Sequence, residues 1–199
     1  MLPPRKAGDV KRCVMDPVSQ GVVGAAFAQS AAKRTMLATV AWYGALGGMA
    51  PDLDVLFQSF SDPLLFLEFH RQFTHSLVFI PVGALLVFLV LKTIASRIKM
   101  LQGLSTSQGY LACLMGYATH GLLDSCTSYG TQLFWPFSDV RVAWDTMSIV
   151  DPLFTVPLLV LVIAAARTKR LWLSWLARAP VLRFFAGGWG QHERAMQAA

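Results

Sequence analysis

Five apolar runs divide the chain: Pro17 to Ala32, Thr35 to Pro51, Ser76 to Leu91, Gly109 to Leu123 and Thr146 to Ala166. The third carries no charge, and it reaches the roughly 20 residues a bilayer-spanning helix needs if it continues to Ser96 with Lys92 snorkelling. His120 interrupts the fourth run and Asp151 the fifth. Three Asp-Pro pairs, Asp16-Pro17, Asp62-Pro63 and Asp151-Pro152, read as helix starts, with Asp as N-cap and Pro at the first helical position. The pattern predicts an all-α polytopic membrane helical bundle with four to five transmembrane helices. A short interfacial helix from Asp62-Pro63 and a basic amphipathic C-terminal helix complete it.

Charge gives the bundle a direction. Of the 17 Lys and Arg, all but Arg71 and Arg141 fall before Met15, at Lys33 and Arg34, at Lys92, Arg97 and Lys99, or from Arg167 onward. The positive-inside bias then puts the loops after Arg34, Leu91 and Ala166 in the cytoplasm, and the loops 51–75 and 124–147 on the opposite face. Four spans satisfy this: 35–51 outward, 75–96 inward, 109–124 outward and 148–166 inward. Pro17 to Ala32 is flanked by cations on both sides. Either it is re-entrant or interfacial, or translation begins at Met15, which removes the basic segment and gives a fifth span. In the second reading residues 1–14 are a non-native or disordered extension, and they lack a signal peptide's apolar core. Residues 15–166 form the membrane-embedded domain. Residues 167–199 form a basic cytoplasmic tail in which Trp172, Trp175, Phe184 and Phe185 alternate with Arg170, Arg178 and Arg183, as in a helix lying on an anionic leaflet.

Composition agrees. A chain of 199 residues fits one domain, but 55% hydrophobic residues, 14% charged residues and a mean hydropathy of +0.50 exclude an ordinary soluble domain. The net charge of +6 does not come with a basic helix on a soluble module, so no nucleic-acid partner is expected. Membrane lipids are. Cys13, Cys113 and Cys126 form no CxxC pair, which excludes a thiolate zinc site and a disulfide framework.

The candidate chemistry lies in polar clusters at the ends of the apolar runs: Pro51-Asp52-Leu53-Asp54, His70-Arg71-Gln72-Phe73-Thr74-His75, and His120-Gly121-Leu122-Leu123-Asp124. Ionisable groups in a membrane protein are costly, and imidazole with carboxylate is what a divalent ion takes. His120 and Asp124, four apart, share a helix face and can chelate one ion; alone, the pair reads rather as a structural hydrogen bond, and the other clusters tilt it toward a metal. His70 and His75, five apart, cannot share a helix face. They can point into one cavity if His70 ends the short helix and Thr74 caps the next span. Asp52 and Asp54 alternate along one side of an extended exit. All these residues fall at the same face of the topology drawn from Lys and Arg. Arg71 can hold an anionic group or neutralise Glu68, and Arg141 is the second such cation.

With those residues in place, the chain resembles the YdjM-like family of bacterial inner-membrane proteins described as metal-dependent hydrolases. The matching stretches are Met15-Asp-Pro-Val-Ser-Gln20, Pro51 to Asp54, His70 to Ser76, His120 to Asp124, Tyr129 to Phe137 and Ser148 to Pro152. The resemblance implies a multi-span protein with hydrolase-like metal ligands, and it favours Met15 as the start. Many relatives carry His where this chain has Gln20. Gln is a poor zinc ligand, so either the ion has one ligand fewer here or Gln20 contacts substrate or water.

The expectation is therefore a membrane-bound hydrolase at the outer face of the inner membrane. Its divalent ion, zinc first with manganese or iron as alternatives, is held by His70, His75, His120, Asp124 and Asp52 or Asp54, and activates a water. Asp54 is the expected general base. Arg71 and Arg141, with Gln20, meet a lipid or lipid-linked phosphoester. A cation-binding transporter or sensor is the alternative.

Overall fold

The computed structural model describes residues 16–57, 71–127, 130–144 and 152–183. Helix α1 spans Pro17–Ser30 and begins as the sequence predicts: Pro17 takes the first helical position, and the Asp16 carboxylate accepts the N–H groups of Val18 and Ser19. Helix α2, Leu37–Met49, runs straight into the 3-10 segment Ala50–Phe57 that carries Asp52 and Asp54. Helix α3, Ile80–Ala95, follows a 3-10 turn at Phe73–His75. Helix α4, Thr106–Ser125, opens with a reciprocal capping box between Ser105 and Gln108. Helix α5, Pro152–Thr168, is followed after Lys169 and Arg170 by helix α6, 171–183.

Three helices meet backbone to backbone. A Cβ on Gly116 of α4 would collide with the Gly44 carbonyl of α2, and one on Gly24 of α1 would meet that same carbonyl. Glycine at these positions lets α1, α2 and α4 approach closely enough for their backbones to touch. The apolar core continues outward on two sides. On one, Val22, Val23 and Ala26 of α1 pack with Leu123, Leu158, Val162, Ala177 and Val181. On the other, Val40, Tyr43, Ala84, Phe88, Cys113 and Tyr117 join α2, α3 and α4. Helix α6 is thus packed into the fold through Leu173, Ala177 and Val181, while Trp172, Trp175, Leu176 and Leu182 face outward.

The bundle has two unlike ends. Gln29 of α1 donates to the carbonyls of Leu37 and Val162, and Lys92 of α3 donates to Thr106, so the α1–α2 turn, the α3–α4 turn and the later half of α5 share one end. Lys33, Arg34, Arg97, Lys99 and Arg167 collect there. At the other end Ser19 and Thr155 share a hydrogen bond of 2.6 Å, and the polar clusters converge.

Among the described residues no helix is long and apolar enough to cross a membrane. The four to five spans expected from hydropathy are therefore all-α helices of smaller reach. α1, α2, α3 and α5 have 14, 13, 16 and 17 residues, which at 1.5 Å per residue is roughly 20–26 Å against a hydrocarbon core of about 30 Å. α4 has 20 residues but includes Gln108, Thr119, His120 and Asp124. Their outer faces are nonetheless apolar: Val82, Leu85, Leu86, Leu89 and Val90 of α3 and Val156, Val160 and Ile163 of α5 are exposed. The short helix expected from Asp62-Pro63 lies outside the described residues. Thr74 does not cap α3, which begins six residues later at Ile80; its hydroxyl is engaged elsewhere.

Candidate metal centre

Four side chains from three separate segments converge at the polar end: Asp52 after α2, His75 before α3, and His120 and Asp124 on the last turns of α4. All four are buried, and one ligand atom from each lies within 4.8 Å of every other. Nε2 of His75 is 2.9 Å from Nε2 of His120, 3.2 Å from Oδ2 of Asp124 and 3.6 Å from Oδ1 of Asp52. Nε2 of His120 is 3.3 Å from Oδ1 of Asp52 and 3.5 Å from Oδ2 of Asp124. Bonds of about 2.0–2.2 Å at tetrahedral angles set neighbouring ligand atoms about 3.3–3.6 Å apart; the four imidazole–carboxylate separations of 3.2–3.6 Å fit that spacing, and the 2.9 Å between the two imidazole nitrogens is shorter. Two imidazole nitrogens with two carboxylate oxygens form a donor set suited to zinc, manganese or iron.

The far side of each imidazole fixes which nitrogen faces the cluster. His120 Nδ1 meets the carbonyl oxygen of Gly48; a carbonyl only accepts, so Nδ1 carries a proton and donates it. His75 Nδ1 lies 2.9 Å from the Thr74 hydroxyl, which in turn donates to Oδ2 of Asp54 at 3.2 Å. That relay makes His75 Nδ1 the donor and leaves Nε2 as the lone-pair atom. With both Nδ1 protons committed, the two Nε2 atoms meet beside two carboxylate oxygens, an arrangement that calls for positive charge among them, either a metal ion or a proton on Nε2. Both oxygens of Asp52 and Oδ2 of Asp124 also lack a hydrogen bond of good geometry among the described residues.

Buried charge is tolerated only when paired, and at the cluster the Asp52 and Asp124 carboxylates lie against the two imidazoles, with the Arg71 guanidinium on Asp124. Burial by itself would raise the Asp52 carboxyl pKa. His120 and His75 beside it outweigh that and hold it below the ordinary carboxylate range, so the ligand is ionised.

The remaining candidate residues surround the four rather than joining them. Asp54, read from the sequence as a ligand or general base, lies behind His75: its Oδ2 is 3.7 Å from Nδ1 and also accepts the backbone N–H of Arg71 at 3.2 Å. It orients the imidazole. Arg71, read as a substrate cation, is buried with its Nε 3.2 Å from Oδ2 of Asp124 and its Nη1 donating to Thr127. These contacts hold it at φ 60°, a backbone conformation that non-glycine residues adopt at a cost of about 1–3 kcal/mol. Gln20 is fully buried, and its Nε2 donates to Oδ1 of Asp124 at 2.8 Å, which turns Oδ2 toward the cluster. It meets a ligand, where the sequence reading offered substrate or water. Arg141 is half-buried on the 130–144 segment, outside the cluster. His70 lies outside the described residues.

Three participants escaped the sequence reading. The Gly48 carbonyl, the Thr74 hydroxyl and the Thr127 hydroxyl each brace a residue of the site. Thr74 stands next to His75 and so had a local signal. Gly48 and Thr127 had none, because a carbonyl has no residue type and the Arg71–Thr127 contact joins distant segments.

A family model described as YdjM inner membrane protein matches residues 15–192. No curated protein and no solved structure is similar to the chain.

Proposed function

Because this chain belongs to the YdjM inner membrane protein family, we propose that the cluster Asp52, His75, His120 and Asp124 is the centre of a membrane-bound metal-dependent hydrolase. One observation carries the proposal: four buried side chains bring one ligand atom each within 4.8 Å of every other, with the two imidazole nitrogens 2.9 Å apart. Asp52, His75, His120 and Asp124 would hold a divalent ion, zinc first, which would supply Lewis acidity and water activation there. The chain's own residues do the rest. Gly48, Thr74 and Asp54 fix the imidazole tautomers, and Gln20 and Arg71 hold the two oxygens of Asp124. Asp52 Oδ2, which has no hydrogen-bond donor among the described residues, is the acceptor assigned to a leaving proton.

The substrate assigned is a lipid or lipid-linked phosphoester. Arg141 supports this through its segment, whose Trp144 N–H bonds the Ser125 carbonyl one residue beyond Asp124. The location assigned is the inner membrane, multi-pass, with the site at the periplasmic face and the C-terminus cytoplasmic. Support comes from the cations gathered at the end of the bundle remote from the cluster. A cation transporter would need polar groups at successive depths. Toward the cationic end, buried Gln29 and Ser30 instead give their donors to backbone carbonyls.

The test is ion-dependent turnover. Detergent-purified protein stripped by a chelator is assayed against phosphomonoester and phosphodiester lipids before and after adding back zinc or manganese. Restored hydrolysis in wild type and none in His120→Ala supports the proposal. Tight ion binding without hydrolysis of any phosphoester would overturn it in favour of a cation sensor or transporter.

A further inference from the structure

The 130–144 segment lies at the site end of the bundle, and its backbone fastens it there. The N–H of Gln132 bonds the Arg71 carbonyl at 3.2 Å, the N–H of Leu77 bonds the Leu133 carbonyl at 2.9 Å, and the N–H of Trp144 bonds the Ser125 carbonyl at 2.7 Å. Thr131 pairs with Val142 across an antiparallel bridge, so the residues between them form a loop with a fixed base. Thr131 and Leu133 are buried, and beyond them the loop turns outward: Phe134 is 52% and Phe137 85% exposed, with Pro136 exposed between them.

An exposed aromatic tip is unfavourable in water, and its backbone suits a less polar medium. The N–H groups of Trp135, Phe137 and Ser138 donate to carbonyls within the loop, that of Val140 donates to the Ser138 hydroxyl, and Pro136 has none. A loop whose amide donors are largely satisfied internally avoids most of the penalty of leaving water. The tip also continues an apolar face of the bundle. Leu77, bonded to Leu133, and Val78 are exposed at the entry to α3, and Val82, Leu85 and Leu89 carry that face along the helix at spacings of four, three and four. The charged residues of the segment, Asp139 and Arg141, are opposite in sign and follow the aromatic residues.

We infer that the tip Phe134 to Phe137 is an interfacial anchor, seated in the lipid leaflet at the site end with its rings at the boundary between headgroups and acyl chains. Asp139 and Arg141 stay among the headgroups, and the apolar face of α3 faces the acyl chains below. The anchor is tied to the candidate metal centre. Gln132 bonds Arg71, which meets Asp124; Trp144 bonds Ser125, the residue after Asp124; and Leu133 packs against Gly121, next to His120. It therefore holds the cluster at headgroup depth. The inference rests on membership of an inner membrane protein family and not on the hydrolase reading, so its test uses no turnover.

The experiment uses the full chain in nanodiscs of dioleoylphosphatidylcholine and dioleoylphosphatidylglycerol, one chain per disc. Phe137→Cys takes an environment-sensitive fluorophore on a Cys13→Ser background, in which Cys113 and Cys126 are buried. Lipids brominated near the carbonyl end of the acyl chain should quench the label, and aqueous iodide should quench it about fivefold less than the free dye, because the interface excludes the anion. In the unlabelled chain, hydroxyl radicals should oxidise Phe134 and Phe137 about fivefold more slowly than in a free peptide of residues 130–144. Oxidation of both rings at the peptide rate overturns the inference, whatever the label reports. A label open to iodide and insensitive to brominated lipid overturns it as well. Protection found only in discs that hold two chains assigns the tip to a second copy and also overturns it.

Discussion

Gln20→Met removes one donor from the candidate metal centre and leaves its four ligands in place. The side chains are of similar length, so α1 keeps its packing, but the N–H that Gln20 gives to Oδ1 of Asp124 at 2.8 Å is lost. Both residues are fully buried, so no solvent replaces it. A hydrogen bond to a charged group is worth about 1.5–3 kcal/mol, and about 1.4 kcal/mol is a factor of ten in affinity. Metal affinity should therefore fall about 10–100-fold, which is also the usual effect of removing an outer-shell partner. Occupancy at saturating metal should not change. Competition titration of detergent-purified protein against chelators of graded strength measures the affinity. An unchanged affinity would refute the assignment of Gln20 as the brace of Asp124. Complete loss of binding would refute it the other way, making Gln20 indispensable to the ion.

Other perturbations probe the packing and the charges. Gly116→Ala places a methyl group against the Gly44 carbonyl; overpacking of this kind costs about 1–3 kcal/mol, read as a lower unfolding temperature in detergent with reduced metal occupancy as His120 is displaced. Arg71→Met removes the guanidinium that meets Oδ2 of Asp124 and should destabilise the metal-free protein by about 3–5 kcal/mol, with the deficit shrinking when metal is added; equal deficits with and without metal would contradict an ion beside Asp124. Lowering the pH should release the ion, because protons compete with the metal for its ligands. Asp52 does not drive that release: its carboxyl pKa is depressed, so its contribution is complete above the ordinary carboxylate range and is lost only as pH falls below it. Metal retention after dialysis at each pH checks this, and a release midpoint near pH 4 or lower would shift the blame to the carboxylates.

Much of the site was legible before the fold was. The HxxxD spacing puts His120 and Asp124 on one helix face because four residues make slightly more than a turn, and that face is where the structure holds both. The Asp16-Pro17 start was equally local. What could not be read was the sorting of near neighbours. Asp52 and Asp54 are chemically alike and two apart in sequence, and only the path of the 3-10 segment after α2 sends one to Nε2 of His75 and the other to its Nδ1. Arg71 looked available for a substrate because its partners, Asp124 and Thr127, come from another helix and the turn beyond it. Two spans are shorter than expected for a related reason. Hydropathy continues through residues such as Ala50 and Ser76, but α2 gives way to a 3-10 segment at Ala50 and α3 begins only at Ile80, after the 3-10 turn Phe73–His75.

The account's central claim is that Asp52, His75, His120 and Asp124 together hold one divalent ion. Plasma mass spectrometry of mildly purified full-length protein, beside His75→Ala, His120→Ala and Asp124→Asn, tests it most directly. The predicted result is one zinc, manganese or iron per wild-type chain and a loss of most of that metal in each variant. Wild-type protein without stoichiometric metal, even after exposure to all three ions, would contradict the claim; the cluster would then be a buried ion pair of His120 imidazolium with Asp52 and Asp124.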